Sequence, residues 1–248
     1  MSGAERKQIA AVLKTLRPVA TEHALIRLGP RGDGGYLVPD DLGELEACFS
    51  PGVGLTSGFE TDCAAAGMQV FMADASVTGP ADASAAFHFV PKNLGSCTSG
   101  ETITLEDWVA ESLPGSKTDL LLQMDIEGAE FDAILHTTDR LLARFRIIVV
   151  EIHELHRFAD PAFLDRAATT FEKILRNHVC VHIHPNNCCG SAEVAGVVVP
   201  CIAEFTFLRR DRVRKRLQRR FVESLPHPLD ADNVPANDFL PLSPDWFV

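Results

Sequence analysis

The sequence predicts an α/β fold built on a mostly parallel sheet, and three features carry that expectation. Short apolar runs alternate with stretches of helical periodicity, the pattern of crossovers that calls for a sheet covered on both faces. A glycine-rich turn, SPGVGLTSGFE at 50–60, joins the first core run to a helix. Residues 118–130, TDLLLQMDIEGAE, place an apolar run broken only by Gln123 directly before Asp125, Glu127 and Glu130. An apolar run this short suits a buried strand. Its acidic end then falls at the carboxyl edge, where open α/β sheets bind ligands.

The elements follow in order. Residues 4–17 predict a helix, with Ile9, Val12, Leu13 and Leu16 on one stripe and Pro18 as its stop. Residues 27–39, RLGPRGDGGYLVP, predict a loop or short hairpin. A strand is expected over 47–50, a glycine-rich turn over 51–58, and a helix over 59–67 closed by Gly67. Strands are expected over 69–73, ending at Asp74, and over 87–90. Residues 104–113 predict a helix, with Thr104 and Asp107 spaced as a capping box. A strand over 119–125 is followed by a helix over 129–142 and a strand over 146–153. Asp160-Pro161 caps a helix running to about 177. Strands over 179–184 and 201–208, joined by a Gly- and Val-rich stretch without helical periodicity, predict an antiparallel hairpin. The expectation is one domain over 1–248, with a tail from about 224.

Composition narrows the function classes. The 248 residues are 46% hydrophobic and 23% charged, a globular balance. No apolar run approaches the roughly 20 residues that span a bilayer. The charged amphipathic start lacks a signal-peptide apolar block, and seven cysteines without a CxxC pair suit reduced thiols in a cytoplasm. A bridge between the adjacent Cys188 and Cys189 would be strained and is not expected. The net charge of −11 argues against nucleic-acid affinity. Residues 209–220, RRDRVRKRLQRR, hold eight basic side chains and one acid. They read either as a solvated helix face or as a docking surface for an anionic partner or an acidic protomer, which leaves a homo-oligomer open.

The glycine turn carries a nucleotide signature. Gly52, Gly54 and Gly58 lie between a strand and a helix, where they let a ligand approach the backbone closely. Asp74 follows 20 residues after Gly54, where a carboxylate takes both hydroxyls of a ribose. The full dinucleotide pattern is absent because position 57 is Ser, which leans towards a smaller adenosyl ligand.

With those segments in hand, the chain resembles the FkbM-type S-adenosylmethionine-dependent methyltransferases. The likeness rests on RGDGGYLVP at 31–39, SPGVGLTSGFE at 50–60, VFMADAS at 70–76, LLLQMDIEGAEFDAIL at 120–135 and HIHPNN at 182–187, with LPHPLDADNVP as a C-terminal variant. It implies a class I Rossmann-like methyltransferase fold, a mostly parallel seven-stranded sheet with a C-terminal antiparallel strand. It implies methyl transfer to a hydroxyl on a sugar or small natural product. By position, it places Gly52, Gly54 and Glu60 in the cofactor turn, Asp74 at the ribose, and Ser76 beside it. It favours Asp33 and Tyr36 as a lid over the cofactor, against a reading in which Gly34 and Gly35 only permit a tight turn. The Ala-rich stretch 75–86 departs from the pattern and leaves the adenine contacts open.

The second half ends its strands in polar pairs: Asp125 and Glu127, Glu151 and His153, His182 and His184. Residues at i and i+2 of a strand share a face. With the implied topology, Glu204 approaches the same edge. His153 is the first candidate for general base because imidazole titrates near neutrality; Asp125 is the second, as base or orienting group, with Glu127 beside it. A divalent metal would suit this donor mix, with Asp125, His153 and His184 as first ligands and Glu127, Glu151 or Glu204 as further ones. A metal-free site remains the other reading. Asn186 and Asn187 are candidates for a polyhydroxy acceptor, or simply turn formers after Pro185. Two other functions stand beside methyl transfer: a non-catalytic S-adenosylmethionine or nucleotide-binding partner protein, and a metal-dependent hydrolase.

Overall fold

The structure, a computed structural model, describes residues 3–247. Met1, Ser2 and Val248, included in the expected domain, lie outside the described residues. In chain order the elements are α1 (Gly3–Thr15), β1 (Leu25–Leu28), β2 (Tyr36–Pro39), β3 (Ala47–Pro51), α2 (Gly58–Ala65), β4 (Gln69–Ala73), β5 (Phe87–Val90), β6 (Asn93–Leu94), β7 (Thr102–Ile103), α3 (Leu105–Ser112), β8 (Leu120–Met124), α4 (Glu130–His136), α5 (Asp139–Leu142), β9 (Phe145–Ile152), α6 (Pro161–Leu175), β10 (His178–Val194) and β11 (Val197–Arg209). Seven strands form one sheet in the order β10-β11-β9-β8-β3-β4-β5. Pairing is parallel from β9 to β5, while β11 runs antiparallel between β9 and β10.

Alternation along the strands divides the core in two. Leu120, Leu122, Met124, Ile148, Val150, Ile152, Phe205 and Phe207 pack on one face with α1, α3, α4 and α6. Phe49 is the hub there: it stacks on Phe71 at 4.9 Å and meets Trp108 edge-on at 5.0 Å. Such ring pairs add about 0.5–1.5 kcal/mol each beyond their buried area. On the other face lie Leu121, Ile147, Val149 and Leu208, covered by α2 and by β2, which pairs with β1 in a hairpin. That second face is therefore only partly helical, and Thr206 Oγ1 donates to the Leu37 carbonyl at 2.7 Å to hold β2 on it.

Local chemistry explains most element ends. Thr104 accepts from Asp107 N at 3.1 Å, and Asp160 accepts from Ala162 N at 2.9 Å. The Asp107 carboxylate turns to Thr98 Oγ1, so only one arm of the expected capping box forms. The helix expected over 129–142 is broken: Thr137 is extended and Thr138 starts α5 by accepting from Leu141 N at 3.1 Å. Two adjacent β-branched residues, one of them a good cap, favour that break.

The C-terminal hairpin is longer than its apolar runs suggest. The ladder continues through Ser191↔Pro200 to Val194↔Val197 after an irregularity at 187–190. Ala195 (φ 50°) and Gly196 (φ 78°) close it, the positive-φ pair that a two-residue hairpin turn requires. Pro185, Asn186 and Asn187 consequently lie inside β10 and are not turn formers. The basic segment is likewise not a helix face: a single 3-10 turn covers Arg210–Arg212. Arg209 grips Asp119 with two guanidinium bonds (2.5 and 2.8 Å), and Arg212 grips Asp41 (2.6 and 2.7 Å). Those carboxylates, distant in sequence, outcompete helical propensity.

Candidate active site

Gly52 follows β3 with φ +87°, and a Cβ there would collide with the carbonyl oxygen of Asp125. Only glycine lets the loop after β3 pass so close to the end of β8. Asp74 follows β4. Its Oδ2 accepts from Val53 N at 2.9 Å, and its Oδ1 accepts from Ser76 N at 2.7 Å and Ser76 Oγ at 2.6 Å. Burial works to raise the Asp74 pKa, but these donors outweigh it and hold the carboxyl below its ordinary range. Gly52, Asp74, Ser76, Asn93, Asp125 and Glu127 are among the walls of a cavity of about 340 Å3.

Other residues expected at the cofactor are not among those walls. Gly54 is exposed and outside that lining. Glu60 is buried in α2, 2.6 Å from Ser50 Oγ, and burial raises its pKa. Ser50 Oγ is also 2.6 Å from Gln123 Oε1, and Gln123 Nε2 donates to Tyr36 Oη at 3.3 Å. Tyr36 is therefore no lid: it is locked in β2, edge-on to Phe59 at 5.5 Å. Asp33 sits exposed in the β1–β2 turn, where it accepts from Asn233 Nδ2 at 3.5 Å.

The β8–α4 turn makes the next part of the site. Glu127 (φ 56°) and Gly128 (φ 102°) reverse the chain in left-handed conformations; for a glutamate this is an uncommon backbone state. The turn aims Glu130, 1% exposed, back at its own backbone. Glu130 Oε1 accepts from Ile126 N at 3.2 Å, Gly128 N at 3.0 Å and His153 Nδ1 at 3.0 Å. A donating Nδ1 leaves His153 Nε2 facing Glu127 at 3.3 Å, Glu151 at 3.7 Å and Asp125 at 3.8 Å. Burial opposes charging His153, but Glu130, Asp125 and Glu127 together raise its pKa above the ordinary value. Asp125 is pushed up to about 6, chiefly by burial, with Glu127, Glu130 and Asp33 adding to it and His153 opposing.

The three strand-end pairs share the partly helical face of the sheet, but they do not form one cluster. Across β9, β11 and β10 the register sets Glu151 beside Glu204 and Glu204 beside His184. Burial first, then Asp125, Glu204 and Asp33, push Glu151 up to about 10. Burial also lifts Glu204 to about 7, against His184 and the 2.7 Å bond from Asn233 Nδ2. His184 stands on the far side, 3.7 Å from Asp230, while His182 Nε2 meets the same carboxylate at 2.9 Å. Burial works to raise Asp230, yet the two imidazoles hold it far below its ordinary range. His184, Asp230, Asp232, Arg31, His227 and Phe239 are among the walls of a second cavity of about 380 Å3.

The metal set expected from sequence is thereby corrected: His184 does not join Asp125 and His153. The donor atoms that converge within 4.8 Å belong to Asp125, Glu130 and His153. Asn187 is also spoken for. Its amide donates to the Val234 and Asp238 carbonyls and its oxygen accepts from Val234 N, pinning the tail. Asn186 donates to Glu151 Oε1 at 3.1 Å and accepts from Cys188 N at 2.9 Å. Sequence reasoning missed Glu130, which sat inside the acidic motif but read as a helix start. It also missed Asp230 and Asn233, for which LPHPLDADNVP offered a motif without a role.

The mainly parallel seven-stranded sheet, with a glycine cradle and a carboxylate at its carboxyl edge, is consistent with a Rossmann-like methyltransferase fold. Residues 46–177, more than half of the chain, match the Methyltransferase FkbM domain, and the chain belongs to that family of methyltransferases. No curated protein matches it. The matched span carries Gly52, Asp74, Asp125, Glu130 and His153; His182, His184, Glu204 and Asp230 lie beyond it.

Proposed function

We propose that the protein is an S-adenosylmethionine-dependent O-methyltransferase acting on a hydroxyl of a sugar or small natural product, with His153 as general base. One observation supports this most. Asp125 and Glu127 are walls of the 340 Å3 cavity and also face His153 Nε2, so the cofactor cavity and the base share a boundary. The residues fit the cofactor: the Gly52 cradle admits it closely, and Asp74 offers a preoriented carboxylate for ribose hydroxyls. S-adenosylmethionine supplies a sulfonium methyl already activated for displacement, so placement does much of the work.

The chain's own residues supply the rest. Glu130 holds the Nδ1 proton, which fixes the tautomer and leaves Nε2 to take a proton from an acceptor hydroxyl. A base whose pKa lies near the working pH is what such transfer requires. Asp125 orients the hydroxyl and stabilises the imidazolium that forms.

A divalent ion is a second reading, favoured by the convergence of Asp125, Glu130 and His153. Glu130 already spends one oxygen on three donors, so it fits better as the group that orients His153 than as a ligand. Methyl transfer after exhaustive chelation would leave the base reading standing alone. We place the protein in a reducing cytoplasm on its cysteine usage; among the described residues no helix is long and apolar enough to cross a membrane.

The test is calorimetry with S-adenosylhomocysteine, followed by transfer of a labelled methyl to a panel of hydroxylated acceptors. Binding without transfer to any of them would favour the non-catalytic partner protein. No binding would sink both.

A further inference from the structure

Consecutive residues of a regular strand point to opposite faces. Cys188 and Cys189 break that rule. The ladder between β10 and β11 is interrupted between Asn186 and Ser191, and Gly190 turns with φ +70°. In that irregular stretch the two thiols come to the same side, with Sγ atoms 2.8 Å apart and both residues exposed. The stretch is anchored on its N-terminal side. Asn186 Oδ1 accepts Cys188 N at 2.9 Å, and Asn237 Nδ2 donates to the Asn187 carbonyl at 2.9 Å. Cys201, half-buried on β11, lies near Cys189.

We propose that Cys188 and Cys189 form a preorganised chelating dithiol for a thiophilic trivalent centre, of which an organic arsenic(III) oxide is the simplest probe. The strand irregularity has already met the ordering cost of bringing two sulfurs to one side, which is the usual source of a chelate's advantage over separate thiols. Soft sulfur ligands select soft centres. The reaction is a condensation: two S–H bonds and the As=O bond break, two As–S bonds form, and one water leaves with both thiol protons and the oxide oxygen. Arsenic stays trivalent and nothing is oxidised. Burial, then Cys189, push the Cys188 thiol up to about 12, so Cys188 holds its proton at neutral pH and must shed it on binding. The pair touches the active site through Asn186, which also donates to Glu151.

The experiment is titration of the reduced full chain with phenylarsine oxide, read by intact mass under native conditions. Wild type should take up one equivalent that survives excess monothiol and is released by a small dithiol. Cys188→Ser and Cys189→Ser should each lose the stable adduct, while Cys97→Ser and Cys201→Ser should keep it; thermal melts show that each variant is folded. A stable adduct in Cys189→Ser, or none in wild type, would overturn the assignment. Loss in Cys201→Ser would also overturn it, since it would move the site to a cross-strand pair. None of these readouts depends on methyl transfer.

Discussion

Replacing Glu130 by Gln keeps the shape of the side chain and one carbonyl-type oxygen, but removes the charge facing His153. The structure indicates how much should change. Glu130 is 1% exposed and its Oε1 lies 3.0 Å from His153 Nδ1. A hydrogen bond to a charged group contributes about 1.5–3 kcal/mol and a neutral one about 0.5–1.5. The imidazolium therefore loses about 1–2 kcal/mol, a factor of roughly 5–30 in its acid–base equilibrium. The Glu130 bond and charge are among the causes that raise the His153 pKa, so their loss lowers it. The acid limb of the kcat profile should move to lower pH, and the plateau should fall because a weaker base does the work. NMR titration of the His153 ring reads the same change without turnover. Stability follows the linked sign: a raised histidine pKa stabilises fully below the unfolded value and loses that contribution as pH rises through the folded one. Glu130→Gln should thus cost more stability in mildly acid buffer than at high pH. An unmoved His153 titration and an unmoved acid limb would refute the view that Glu130 tunes the base.

Three further outcomes are expected. His153→Ala should abolish methyl transfer while leaving S-adenosylhomocysteine affinity nearly intact by calorimetry, because the lost group acts on the acceptor; normal turnover would remove it as the base. Asp74→Ala should weaken S-adenosylhomocysteine binding by about 1–3 kcal/mol through lost buried hydroxyl contacts, and an unchanged calorimetric Kd would exclude Asp74 from the cofactor site. Glu151 has a folded pKa of about 10, so its contribution to stability is present below the unfolded carboxyl value and is lost as pH rises. Glu151→Gln should therefore raise Tm relative to wild type more at pH 8 than at pH 5, and equal differences at the two pH values would argue against a buried neutral acid.

The sheet was legible because its strands are short apolar runs separated by helical periods, and that signal is local. The shared face of the polar pairs was legible for the same reason: Gln123, Asp125, Glu151 and His153 follow from a period of two. The grouping of those pairs was not. His182 and His184 are drawn away from His153 by Asp230, 48 and 46 residues downstream, in a tail with no periodic pattern. The length of the hairpin was hidden because an interrupted ladder breaks the alternation that marks a strand. Glu130 was hidden by its own position, since an acid at the first turn of a helix already has an adequate explanation in the helix dipole. Gln123 read as a blemish in an apolar run, whereas it is a buried link between Ser50 and Tyr36.

That link has an arithmetic of protons. The Ser50 hydroxyl owns a single hydrogen but lies 2.6 Å from two acceptors, Glu60 Oε1 and Gln123 Oε1. It can serve only one. The relay is complete if Glu60 keeps its own proton and gives it to Ser50, which passes its hydrogen to Gln123, whose amide in turn reaches Tyr36. Burial favours that neutral Glu60. The strand that leads into the glycine cradle thus shares one directional chain with the strand that ends at Asp125. Taking the Glu60 proton away would leave two oxygens facing one hydrogen, and the strain would surface between Ser50 and the Gln123 oxygen, which would lose its donor while the Gln123 amide still reached the phenol of Tyr36.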